Sequence, residues 1–336
     1  AARPRPRDGE AAGVPALARA LGRLPLALVM AGGWLEGTPS TPFADYARRL
    51  DAILHGETPE RYRDTQIDGA GPSLAAAIGL SLDRCGEDET ALLNLFAHMA
   101  PEGLSADLLD PALMLNLAFE SQIPAPLAEL PEDRPRLDRA LAALARRSLL
   151  TGDAASGYAL HRLAAAVIRA RLGEDRSFAE AAAAILAAAY PGDAVTFTNW
   201  PACARLAPHV LALHALPPAD RPETGAMDYL CNQAAIFLET QGDRPAALAL
   251  AETRLALARA LYGPDHRETA TGRANFATML EALGRPAAAL PHRRAALRIY
   301  RALGPEAGVD LPIALGNRAV TLHVLAARAR ARGRAG

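Results

Sequence analysis

The residues best suited to chemistry are few. His161 stands in "YALHRLAAAVIRARL", ahead of Arg162, Arg169 and Arg171. An imidazole can donate to a phosphate oxygen from either ring nitrogen, so His161 reads either as a ligand sensor or as a helix-start residue satisfied by local backbone. His209, His214 and Cys203 share one stretch. Their H-x4-H spacing does not put both imidazoles on one helix face, and no third ligand follows nearby, so the spacing predicts no metal site. Glu87, Asp88 and Glu89 fall at a predicted helix start, where the helix dipole favours acids without any acid–base chemistry. All 36 basic residues are Arg. Without lysine there is no GxxxxGK[ST] phosphate loop and no Schiff base. No nucleophile–base pair stands out, and the chain reads as a non-enzyme with no catalytic residues.

These residues must be positioned by helices. The chain has 336 residues, 51% of them hydrophobic and mostly Ala and Leu, with only 5% aromatic. Such a composition predicts an all-α protein. Residues 1–10 are a polar lead-in; starting at Ala rather than Met, the chain reads as a fragment or a processed product. Ala11 to Ala31 reads as two helices broken near Gly22–Pro25, because the residue before a proline is pushed out of the helical region. A further helix follows "GTPSTPF", with Ser40 or Thr41 as cap and Pro42 in its first turn. These make a first helical region, 11–60. A Gly/Pro-bearing polar stretch, taken as 61–72, is a linker. From 73 to 172 the pattern runs helix, helix, helix, then Leu149-Leu150 and Tyr158–Leu160 about a Gly/Asp/Ser turn, then a helix. That turn predicts one short β-hairpin, and the order is that of a winged helix. Residues 173–220 form a helical connector.

Residues 221–336 repeat. Gly242 and Gly284, Asn275 and Asn317, the Ala235–Ala277–Ala319 series and the Leu238–Leu280–Leu322 series all recur at 42 residues. A fixed recurrence of helix pairs predicts an α-solenoid, with small Ala positions at close helix approaches and Gly ending the first helix of each pair. The last repeat starts at "LGNRAVTL" and is incomplete. This region carries 16 Arg against 10 acids, whereas the rest carries 20 against 27. Opposite charge on the two parts allows attraction between them, or acidic partners for the solenoid.

The segment "LYGPDH" (261–266) and its flanks resemble tetratricopeptide repeats of the kinesin-light-chain type. "LGRLPLAL" (21–28) resembles the GLPLA motif of NB-ARC signalling ATPases of the STAND class. "YALHRLAAAVIRARL" resembles their winged-helix segment, and "WPACARLAPHVLAL" the connector ahead of their repeats. Arg162 stands where the MHD-type motif has Asp, and Arg23 interrupts the GLPLA segment. The resemblance implies an all-α order of helical ARC subdomain, winged-helix domain and repeat solenoid. It implies that Pro25 packs beside an adenine and that His161 contacts the β-phosphate of ADP. ADP or ATP would belong to the intact protein, held by an upstream nucleotide-binding domain; this chain carries no cofactor of its own.

The resulting expectation is the sensor portion of an NB-ARC/TPR signal-transduction protein. Its solenoid binds a protein or peptide trigger, and its winged helix relays nucleotide state, with oligomerisation on activation. The alternatives are a scaffold without ATPase function or a STAND-type transcription regulator. "RRSLL" and "RLAAAVIRAR" supply Arg for a duplex, but "LNLFAHMAPEGL" is too apolar to read bases, which argues against nucleic acid. Cys85, Cys203 and Cys231 form no CxxC pair, there is no signal peptide and no membrane-length apolar run, and the expected location is cytoplasmic.

Overall fold

The computed structural model describes residues 14–55, 72–110 and 123–333. The lead-in at 1–10, nearly all of the predicted linker and the last three residues lie outside them. The fold is all-α, with one two-stranded hairpin. It divides into two compact units, one of residues 1–188 with 216–220, the other of 189–215 with 221–336. The stretch read as a connector is thus shared between them.

In the first unit, α1 (Val14–Ala20) and α2 (Pro25–Glu36) are separated by a turn at Gly22 and Arg23, both with positive φ. Leu24 is extended (φ −74°, ψ 125°), as its proline neighbour requires. α3 (Phe43–His55) begins one residue after Pro42, so that proline precedes the first turn and does not sit in it. α4 (Pro72–Leu82) packs on both α2 and α3. Trp34 on α2, nearly buried, meets Tyr46 of α3 edge-on at 5.0 Å. Arg84, at the end of α4, lies 5.3 Å from the indole centroid and donates to the carbonyls of Trp34 and Gly37. One guanidinium therefore closes the C-terminus of α2 and covers its aromatic residue.

α5 (Glu87–Phe96), α6 (Ala125–Glu129), α7 (Arg134–Arg146) and α8 (Arg162–Leu172) surround a Leu-rich core, with α5 packed on each of the other three. β1 (Leu150–Asp153) pairs antiparallel with β2 (Gly157–Leu160), Leu150 opposite Leu160. The hairpin lies where Leu and Gly/Asp/Ser spacing predicts it. Leu104 and Tyr158 bridge their backbones on the other side of β2. Asp153 closes the turn by accepting from the backbone of Ala155 and Ser156. Gly152 (φ +91°) has no room for a side chain, since a Cβ there would lie 2.2 Å from the Gly157 carbonyl oxygen. α9 (Ser177–Ala189) buries a run of alanines, Ala181 to Ala184, which costs almost no side-chain entropy.

In the second unit, α10 (Trp200–His214) precedes five long helices: α11 (Gly225–Thr240), α12 (Arg244–Tyr262), α13 (Arg267–Ala282), α14 (Pro286–Leu303) and α15 (Asp310–Gly333). Each packs on the next. Gly242 (φ +84°) and Gly284 (φ +73°) turn α11 into α12 and α13 into α14, the left-handed role that the 42-residue recurrence predicts. Ala235 and Ala277 are buried where paired helices approach. Their counterpart Ala319, on α15, is exposed, and Leu322 is 39% exposed where Leu238 and Leu280 are 8% and 3%. α15 thus begins a third pair and, among the described residues, has no second helix packed on it.

Candidate interaction surface and nucleotide-contact residues

His161 is the N-cap of α8. Its backbone is extended (φ −60°, ψ 132°), and its Nδ1 accepts from the Leu163 N–H at 3.2 Å. This is the local backbone satisfaction of a helix-start residue, with an imidazole doing what Ser or Asp does elsewhere. Partial burial, and then the charge of Arg162, lower its pKa, so the ring is neutral near pH 7. With Nδ1 accepting, the remaining proton is on Nε2, and that N–H is the free donor of an exposed ring. Pro25 is the first residue of α2, an N1 proline that gives up no hydrogen bond. The helices begun by Pro25 and His161 pack on one common element, α4.

The acidic run at the start of α5 does more than complement a dipole. Glu89 accepts from the Gly86 N–H at 2.9 Å and pairs with Arg147. Asp88 takes both arms of Arg136, at 2.8 and 2.6 Å. α7, with Arg134, Arg136, Arg139 and Arg146, and α8, with Arg162, Arg169 and Arg171, are basic helices of this unit. Arg134 is tied to Asp138 at 3.2 Å and Arg136 also reaches Glu129 at 3.1 Å. Much of the positive charge of α7 is therefore neutralised inside the unit. The spacing from Asp88 to Arg136 has no periodicity by which a sequence could pair them.

His209 and Cys203 are buried in α10, and His214 hydrogen-bonds Thr253 of α12 at 3.2 Å. Among the described residues no group of three or more His, Cys, Asp or Glu is placed to hold a metal ion.

In the second unit, the first helices of successive pairs are joined by polar side chains. Asn275 on α13 donates its amide to the Asn232 carbonyl oxygen on α11 at 2.7 Å. The pair is half-buried, and it leaves the Asn232 amide N–H groups and an Asn275 oxygen lone pair for another partner. The 42-residue recurrence aligns Asn275 with Gln233, one place away, and does not single out Asn232. Gln233 is instead committed to the Gly192 carbonyl at 2.6 Å. Arg293 is 4% exposed and ties the second helix of its pair to the first through Ala274, Thr278 and Glu281, at 3.0, 3.0 and 2.7 Å.

Antiparallel helix pairs recurring at fixed spacing define a helical solenoid. Residues 226–302, from α11 to the end of α14, match the family model of the tetratricopeptide repeat. The chain contains such repeats, an architecture that serves protein–protein interaction. No curated protein matches the chain. Among the described residues no helix is long and apolar enough to cross a membrane.

Proposed function

We propose that this chain is the regulatory and sensing portion of an NB-ARC/TPR signal-transduction protein, its repeats binding a protein or peptide trigger. The observation that carries the binding role is the tetratricopeptide match over 226–302, in which Asn232 and Asn275 offer a donor and an acceptor side by side. An extended peptide presents the complementary carbonyl and N–H. The first unit supports the relay role through its element order. α5, α6, α7, the hairpin and α8 run in winged-helix sequence, and the Leu104–Tyr158 bridge gives the hairpin a third short edge.

His161 is proposed as the nucleotide-state sensor of the intact protein, donating from Nε2 to a phosphate oxygen of ADP, with Pro25 beside the base. ADP would favour one arrangement of the units and the trigger another, a population shift set by differential affinity. The chain itself performs no catalysis in this reading and works in the cytoplasm.

The test lies in the coding region upstream of Ala1. An in-frame GxxxxGK[ST] segment followed by an acidic strand is the expected result, and His161→Ala in that longer protein should then be constitutively active. A start codon close to Ala1 with no such segment sinks the switch and leaves a repeat scaffold. The binding role is tested separately, by selecting peptides from a random library against the full chain. Selected peptides should lose affinity for Asn232→Ala and Asn275→Ala, and peptides indifferent to both would refute the role of that pair.

A further inference from the structure

The solvent side of α15 is apolar. Among its exposed residues from Pro312 to Ala327, His323 alone is ionisable. Ile313 and Val320 form one ridge, 56% and 60% exposed, and Leu315 and Leu322 form another. At about 100° per residue the two ridges flank a seam of small residues, Gly316, Ala319 and Ala326, interrupted by His323. This face is not a copy of the one on α13. One repeat earlier Ile313 and Val320 are Thr271 and Thr278, whose hydroxyls bond Tyr300 and Arg293 of α14, and Gly316 is Ala274. α15 is thus more apolar than α13 where it is more exposed. Gly316 serves nothing inside the protomer. A Cβ there would meet no atom within 4 Å, and its φ is not positive. A mid-helix glycine costs about 1 kcal/mol relative to alanine.

We propose that this face docks on the same face of a second copy of the chain, the two α15 helices antiparallel about a two-fold axis beside Ala319. A seam of small residues lets two helix backbones approach closely, and the ridges of each copy then pack outside the seam of the other. The seam is nearly symmetric about Ala319 and Val320. Antiparallel pairing therefore sets His323 of each copy over Gly316 of the other, where the missing Cβ leaves room. Charge selects the same direction. Glu306 and Asp310 stand at the start of α15, and Arg328 and Arg330 near its end. Antiparallel copies bring acidic starts to basic ends and oppose the helix dipoles, whereas parallel copies would bring like charges together. A strip one helix wide is smaller than the roughly 800 Å² per partner of a standard interface, so a Kd on the order of 10 μM is expected. Well below that concentration the face is solvated and the stability of the protomer does not depend on it. This interface is independent of the nucleotide-switch and peptide-binding readings.

The test is sedimentation equilibrium of the full chain from about 1 to about 200 μM, a range that brackets the expected Kd. The mass should rise from protomer towards dimer across it. Gly316→Leu adds apolar surface at an open position, so the protomer should fold, checked by circular dichroism. It should weaken the dimer roughly tenfold or more by blocking the close approach, whereas association through apolar surface in general would tighten. Val320→Arg should weaken the dimer as well. Orientation is read by disulfide crosslinking in a Cys85→Ser background, the other two cysteines being buried. Ala319→Cys, beside the axis, should crosslink the dimer. Ile313→Cys, about 20 Å along the helices from its counterpart, should not. A monomer at every concentration, a Gly316→Leu dimer as tight as the wild type, or crosslinking through Ile313→Cys would overturn the proposal, and the first of these would leave the face to a different helix.

Discussion

Arg254 on α12 donates to Glu268 on α13 at 2.8 Å while lying 3.5 Å from the buried carboxylate of Asp228 on α11. Three successive helices of the repeat unit therefore share one guanidinium, 3% exposed. The Nε and Nη1 of Arg254 and the Oδ1 of Asp228 complete no hydrogen bond there, so Asp228 is held by charge alone.

That geometry makes the pair costly to break from one side. Arg254→Ala strands Asp228 and should destabilise the second unit by about 3–5 kcal/mol, the usual penalty for an uncompensated buried charge. Burial already raises the Asp228 pKa, with Arg254 opposing it. An acid whose folded pKa is raised binds its proton more readily in the native state, so stability recovers as pH falls towards that pKa. The deficit of Arg254→Ala should accordingly shrink between pH 7 and pH 5. Urea denaturation followed by Trp200 fluorescence, in a Trp34→Phe background, reports this unit alone. A pH-independent deficit would exclude Asp228 as its source.

His98 should give the first unit the opposite pH dependence. It is 5% exposed, its Nδ1 lies 2.8 Å from the Asn94 carbonyl oxygen, and burial pushes its pKa down to about 4. Arg169 lowers it further, while the Asn94 bond, Asp220 and Asp175 raise it. The native ring stays neutral and the unfolded ring takes up a proton below about pH 6.5, so stability is lost as pH falls from there to about 4. Between pH 7 and 5 the loss attributable to His98 is about 2 kcal/mol. Denaturation followed by Trp34 fluorescence, in a Trp200→Phe background, should show that slope, and His98→Leu should remove it.

The repeat positions should respond unequally to one substitution. Ala277→Leu forces a larger side chain between packed helices and should cost about 1–3 kcal/mol. Ala319→Leu, its counterpart on α15, is exposed and should change stability by less than about 0.5 kcal/mol. Thermal unfolding of the two variants measures the contrast. Equal losses would mean that α15 is covered as α13 is.

Much of the fold was legible because it rests on local rules. The proline at 25 dictates an extended Leu24, the glycines at 242 and 284 dictate left-handed turns, and the Gly/Asp/Ser segment between Leu150 and Tyr158 dictates a hairpin. Each acts over a few residues, and the 42-residue recurrence needs only equal spacing to be seen. His161 was legible as a helix start for the same reason. What only the tertiary structure decided are pairings between distant segments: Asp88 with Arg136, Arg254 between Asp228 and Glu268, and Asn232 with Asn275. Charges and amides carry no periodicity that names a partner. Their meeting depends on helix rotation and on how closely the small residues let each pair approach, and those are set by packing of the whole unit.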